Sequence, residues 1–227
     1  MREPSYNCDL CPRLHDFIST WRQKEPTWHN GPVAPFMPKA GAQAVRLLIV
    51  GLAPGLRGAN RTGRPFTGDY AGTLLYNTLK EFGFAKGVFN PLAFDANNDE
   101  KQIDTLELID TAIVNSVRCV PPENKPIGAE INQCRQFFAP YLTDLPHLKA
   151  VITLGSIAHQ STIRALGAKV SAHPFGHNIA TNIGHLRIIS SYHCSRYNTN
   201  TGKLTDDMFR AVFESAKNYL EQTSSPK

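Results

Sequence analysis

The sequence predicts an α/β fold: a three-layer α/β/α sandwich around a central, mainly parallel four-stranded sheet. Two observations carry this reading. Four short apolar, β-branched runs have the composition of strands buried on both faces, and segments with helical apolar spacing lie between them. Strands that alternate with helices need right-handed crossovers, which place helices on both faces of the sheet. Length supplies a third observation. At 227 residues the chain is long for one typical domain and short for two, so it reads as one domain over residues 1–227 with a substantial core.

In chain order, the strand runs cover residues 45–50, 112–117, 150–154 and 186–191. Helical spacing puts Leu75, Leu79 and Phe82 on one face of the segment 72–82, and Ile131, Cys134, Phe138 and Tyr141 on one face of 130–142. The last helix has the clearest start. Thr205 stands as an N-cap before Asp206 and Asp207, whose charges suit a helix N-terminus, and Phe209, Val212, Phe213, Ala216 and Leu220 form its apolar stripe. The proline-rich passages 26–38 and 121–126 read as ordered loops and the tail 222–227 as frayed. No internal repeat is present.

Hydrophobic residues at 41% and charged residues at 19% describe a globular protein and exclude a disordered or fibrous chain. The 24 Lys and Arg against 19 Asp and Glu make a mildly basic surface that attracts polyanions, a balance also common in proteins that never touch nucleic acid. The amino-terminal residues have no apolar core segment, and no run approaches the ~18 apolar residues of a membrane span. The expectation is a cytoplasmic protein without membrane contact, and a monomer. Five cysteines, an odd number without an export signal, argue for metal-binding, catalytic or buried thiols over a disulfide framework.

In doubly wound sheets, ligands bind outside the carboxyl ends of the strands. The Gly51 loop, Asn115 and the His193 segment all follow predicted strand ends, so one crevice can hold all three. The first loop, residues 51–69, reads G-L-A-P-G-L-R-G-A-N-R-T-G-R-P-F-T-G-D, and its glycines allow a ligand close to the backbone. It is not a dinucleotide fingerprint, since G-x-G-x-x-G is absent. Gly58 and Gly63 have P-loop spacing, but Arg64-Pro65 follows where Lys-Ser/Thr is required.

This loop resembles the first motif of the family 5 uracil-DNA glycosylases. Residues 114–122, V-N-S-V-R-C-V-P-P, resemble the strand-end Asn motif of that superfamily, and residues 193–202, H-C-S-R-Y-N-T-N-T-G, resemble its His-x-Ser motif with the N-x-x-T-G extension. With the cysteines, the resemblance runs from about residue 8 to residue 205. Cys194 departs from it, standing where the superfamily usually has proline. Leu52 and Ala53 are apolar where other glycosylase families place a water-activating side chain, so Asp69 becomes the candidate for that task.

The resemblance implies a base-excision repair enzyme that flips a uracil or another deaminated base, such as hypoxanthine, out of DNA and hydrolyses its N-glycosidic bond. Phe66 would stack on the base, and the Asn115 amide, both donor and acceptor, would pair with its edge. His193 would donate to uracil O2 as charge develops there, and Asp69 would act on the sugar side. Gly51, Ala53 and Pro54 complete the implied base-binding set. Arg57, Arg61, Arg64, Ser195, Arg196 and Tyr197 are the candidates for contact with DNA, Arg196 and Tyr197 as a wedge into the gap left by the flipped base. Each has a plainer reading: Phe66 as core, Asn115 and Asp69 as caps, His193 as structural. No lysine falls in the matched motifs, so a strand-cleaving Schiff base has no obvious nucleophile.

Cys8, Cys11, Cys119 and Cys134 form the second constellation. A C-x2-C pair with two later cysteines supplies four thiolates, and spacing alone does not choose between zinc and an iron–sulfur cluster. The family resemblance implies a structural four-iron four-sulfur cluster. On the plainer reading Cys134 is a small buried hydrophobe on its helix. Cys194 is left over as a non-ligand. The rival reading of the whole chain is a non-catalytic nucleic-acid-binding module with a structural zinc.

Overall fold

The computed structural model describes residues 1–94 and 103–223; of the tail 222–227 expected to be frayed, Gln222 ends the last helix and Thr223 caps it, and the rest lies outside the described residues. The chain opens with helix α1 (Pro12–Lys24), enters the sheet as β1 (Leu47–Gly51), and passes through α2 (Ala59–Thr62) and α3 (Tyr70–Glu81). A short antiparallel pair, β2 (Ala85–Lys86) and β3 (Glu107–Leu108), precedes β4 (Thr111–Asn115), after which α4 (Gly128–Phe138) and α5 (Pro140–Thr143) lead to β5 (Ala150–Leu154). Then come α6 (Ser156–Ala165), the hairpin β6 (Ile179–Ile183) and β7 (Leu186–Ser191), α7 (Arg196–Asn200) and α8 (Asp206–Gln222).

The main sheet has the order β4-β1-β5-β7-β6. Its first four strands are parallel and match the four expected runs, while β6 pairs antiparallel with β7. The sheet therefore has five strands, not four. Residues 179–183, I-A-T-N-I, lie on an edge and are half-buried or exposed, so they lack the apolar run by which a central strand declares itself.

Alternation along each strand divides the core. Leu47, Ile49, Ile113 and Ile152 face α3 and α8, meeting Leu75, Tyr76, Leu79, Phe209 and Phe213. Leu48, Val50, Val114 and Val151 face the other way, against Phe138, Tyr141, Leu142 and α6 residues Ala158 and Ile163. Each such large side chain removed from water is worth about 1.5–3 kcal/mol before entropy is counted. The expected stripe of Ile131, Cys134, Phe138 and Tyr141 is buried throughout, but Pro140 divides the segment into α4 and α5 because its ring admits no amide bond to the preceding turn. Thr205 caps α8 as expected, its Oγ1 accepting Met208 N at 3.2 Å.

The proline-rich passage before β1 covers an open edge. Phe36 exchanges two backbone hydrogen bonds with Ile113 of the edge strand β4, each 2.9 Å, and Val33 N donates to Arg118 O at 2.8 Å. A third, smaller cluster joins Leu14 of α1 to Val117, Ile131, Cys134 and Phe137. Packed against it are Leu52 and Ala53 together with Cys8, Cys11 and Cys119.

Candidate active site

A cavity of about 530 Å³ opens at the carboxyl ends of β1 and β4, a size typical of sites for small ligands. Its walls include Ala53, Pro54, Phe66, Asp69, Asn115 and His193, so the three segments expected to share a crevice do share one. Gly51 explains how. It pairs in register with Asn115, and a Cβ there would lie 2.3 Å from Asn115 Oδ1 and 2.8 Å from Phe66 Cζ. Only a residue without a side chain lets the amide and the ring close over the strand end together.

Phe66 is 8% exposed and holds a φ of 51°, a left-handed conformation rare for an aromatic residue. That conformation directs its ring to the cavity wall opposite His193, with centroids 6.1 Å apart and planes 30° from parallel. His193 is half-buried in the wall. Burial lowers its pKa, opposed by the negative charge of Asp69, and so favours the neutral imidazole near pH 7. Asn198 Nδ2 donates to His193 O at 2.8 Å, and Cys194 Sγ reaches Ala71 O at 3.6 Å, which ties the segment to α3 where proline would otherwise stiffen it.

Asp69 is the N-cap of α3, its Oδ1 accepting Gly72 N at 3.2 Å. Its other oxygen faces the glycine loop, 2.7 Å from where a Cβ on Gly58 would stand. The plainer reading of Asp69 as a cap is therefore correct, and the side chain lines the cavity as well. Two polar lining residues, Tyr70 and Asn124, are not among the candidates that the sequence offers. Tyr70 forms the rim beside Arg196, whose guanidinium carbon lies 5.5 Å from the Tyr70 ring centroid. Asn124, at a φ of 57° in the loop after β4, accepts Leu56 N at 3.3 Å. In the sequence Asn124 is marked only by its place in the proline-rich loop 121–126.

A cavity that combines a stacking ring, a donor–acceptor amide, a neutral imidazole and a carboxylate suits a planar polar heterocycle bonded to a carbohydrate. The uracil DNA glycosylase superfamily model matches residues 38–217. The chain belongs to that superfamily. It is 38% identical over 221 residues to the Type-5 uracil-DNA glycosylase of Thermus thermophilus, covering 92% of each chain. It is 37% identical to the protein of the same description from Mycobacterium tuberculosis, over 92% of this chain and 77% of that one. A third, from Pyrobaculum aerophilum, is 34% identical over 92% and 88%.

Within this member of the superfamily the proposed DNA-facing residues separate. Arg57, Arg196 and Tyr197 are exposed, Tyr197 at 74%. Ser195 lines the cavity and caps α7, accepting Asn198 N at 3.4 Å. Arg61 turns back on its own loop, its Nε donating to Arg57 O at 3.1 Å. Arg64 corrects the expectation of a phosphate contact. Its guanidinium grips Asp104 with bonds of 2.9 and 2.8 Å, donates to Thr67 Oγ1, and lies within 5.2–5.6 Å of the Phe36, Tyr76 and Phe89 rings. With its side chain only 13% exposed, it faces the interior.

The four expected cysteines line one small pocket together, none of them in a disulfide, and Cys194 is elsewhere, in the α3/α8 core. Burial raises the pKa of each of three: Cys134 to about 11, and Cys11 and Cys119 in the same direction, with neighbouring thiols adding to the effect in every case. Burial raises the pKa of Cys194 as well, so the direction marks buried thiols in general, and what sets the four apart is that they line one pocket. Among the described residues, no group of three or more His, Cys, Asp or Glu is disposed around a single ion position.

Proposed function

We propose that the chain excises uracil, and other deaminated bases such as hypoxanthine, from duplex DNA by hydrolysis of the N-glycosidic bond, leaving an abasic site in an intact strand. The observation that carries this is the convergence of Phe66, Asn115 and His193 on one cavity at the sheet's carboxyl end. A base must leave the stack to reach such a pocket, at a cost of a few kcal/mol. Phe66 stacks on the flipped ring and Asn115 pairs with O4 and N3–H. His193, neutral, donates to O2 as the bond breaks and negative charge gathers there. Asp69 stabilises the oxocarbenium-like sugar and orients the attacking water, a task Leu52 and Ala53 cannot perform.

Arg57, Arg61 and Arg196 hold phosphates and Tyr197 fills the gap in the stack. Among the described residues no lysine lines the cavity, which accords with hydrolysis in place of a Schiff-base route. Cys8, Cys11, Cys119 and Cys134 would hold a four-iron four-sulfur cluster, with zinc the alternative. When bound, that group ties the amino-terminal segment, about residues 1–40, to α4 and takes no part in the hydrolysis. The protein works as one domain and a monomer in the cytoplasm, associated with the nucleoid when on DNA. No described helix is long and apolar enough to cross a membrane.

Single-turnover incubation with duplexes carrying uracil, hypoxanthine or xanthine tests the reading. The expected result is free base and an alkali-labile strand that stays intact until alkali is added. No base release from any duplex overturns it.

A further inference from the structure

Arg118 is among the largest fully buried side chains of the molecule, at 0% exposure. Its Nη2 donates to Phe137 O at 3.1 Å and to Glu3 Oε1 at 3.2 Å, and its guanidinium carbon lies 5.1 Å from the Tyr141 ring centroid. Its Nε and Nη1 are buried with no partner among the described residues. Unpaired donors on a buried cation are costly, and a native structure that keeps them needs a reason. Glu3 is a weak one. Its side chain is 34% exposed and it already accepts the Tyr141 hydroxyl at 2.7 Å.

The surroundings supply a better reason. Arg118 precedes Cys119, its backbone amide reaches Cys134 Sγ at 3.3 Å, and it lines the pocket that all four cysteines line. A cluster bound by four thiolates is anionic in its usual oxidation states, and its stability and potential respond to nearby charge and hydrogen bonds. We propose that Arg118 is the countercharge of the cysteine-bound cluster: a positioning residue whose buried guanidinium neutralises part of the thiolate–iron charge and turns its unpartnered N–H groups to that use. The inference rests on the cluster reading above. It extends that reading by giving the site a fifth residue, one that ligates nothing.

The test uses the holoenzyme and the variants Arg118→Met, Arg118→Lys and Glu3→Gln, with iron content, absorbance near 400 nm, the midpoint potential of the cluster and the rate of iron loss to a chelator as readouts. Arg118→Met should lose iron at least several-fold faster and show a lower potential, because the reduced, more negative cluster has lost its countercharge. Arg118→Lys should restore much of both. Glu3→Gln should move the potential the opposite way, upward, and this arm decides the matter if the methionine variant does not fold. A potential and a loss rate in Arg118→Met equal to those of the parent overturn the proposal, as does a Glu3→Gln potential that is unchanged or lowered. Absence of iron and of absorbance near 400 nm in the parent protein refutes the cluster reading itself, a result distinct from either.

Discussion

One oxygen of the Asp69 carboxylate accepts the Gly72 amide at 3.2 Å, while the other stands against the Gly58 turn at the cavity. A single side chain thus caps α3 and lines the site, and the two roles are separable. Asparagine caps a helix about as well as aspartate, so Asp69→Asn should leave the melting temperature nearly unchanged. It should slow excision of uracil and hypoxanthine by similar factors, about a hundredfold or more if the carboxylate acts on water and sugar. Single-turnover rates near the parent's on both duplexes would leave Asp69 as a cap alone.

His193→Ala should behave differently. Loss of one preorganised donor in a water-excluded site costs on the order of a hundred-fold to a thousand-fold in rate. The loss should be unequal among bases, because a uracil anion is a better leaving group than an unprotonated hypoxanthine. DNA affinity should barely move. Equal factors on all bases would place His193 outside leaving-group stabilisation.

The arginines should divide by salt dependence. Arg57→Ala and Arg196→Ala should each flatten the slope of log K against log salt by about one unit. Arg64→Ala should leave that slope alone and destabilise the fold by about 3–5 kcal/mol, since Asp104 is then left buried and charged. Burial pushes the Asp104 carboxyl up, but the Arg64 fork and the Asn90 and Leu106 amides outweigh it and hold the pKa below the usual carboxylate range. The stability from this pair is present above the unfolded carboxylate pKa of about 4 and is lost as pH falls through the lower folded value. Denaturant titrations of parent and Arg64→Ala at pH 7 and pH 3 check both signs.

Mild acid should weaken the fold through buried histidines. Burial lowers the pKa of His159 and of His177, against the opposing hydrogen bonds to His173 O and Met208 O. Tyr192 N donates to His177 Nδ1, so that ring carries its proton on Nε2 and is neutral. Below pH ~6.5 the unfolded chain takes up protons that the folded rings refuse, so stability falls as pH drops from there toward the depressed folded values. For His159 the slope reaches at most about 1.4 kcal/mol per pH unit. His159→Gln should flatten the dependence between pH 6.5 and 5; an unchanged profile would rule His159 out as its source.

Much of this was legible in the sequence, because the strongest signals were local. Four strands of the sheet stand out as apolar runs, and the motifs at their ends place Gly51, Asn115 and His193 at one end of the sheet. Strand β6 was hidden because an edge strand with one solvated face has no such run. Arg64 was misread for a related reason: loop arginines look alike in sequence, and its partner Asp104 is 40 residues away, across a ring cage that only the fold assembles. Asn124 was silent because a left-handed asparagine in a proline-rich loop looks like any other turn residue.

The bond pair between Phe36 and Ile113 has a meaning beyond the site. Of the two outer strands, β6 is half-solvated, whereas β4 is fully buried, with Ala112, Ile113 and Val114 as an unbroken apolar run. Left bare, a strand like β4 would be a template for edge-to-edge growth with a second molecule. By occupying Ile113 N–H and C=O, a single residue of the proline-rich passage interrupts that template at its centre, and the prolines on either side, having no amide hydrogen, cannot extend the pairing outward. The segment acts as a stopper on the sheet, protecting solubility as much as shape.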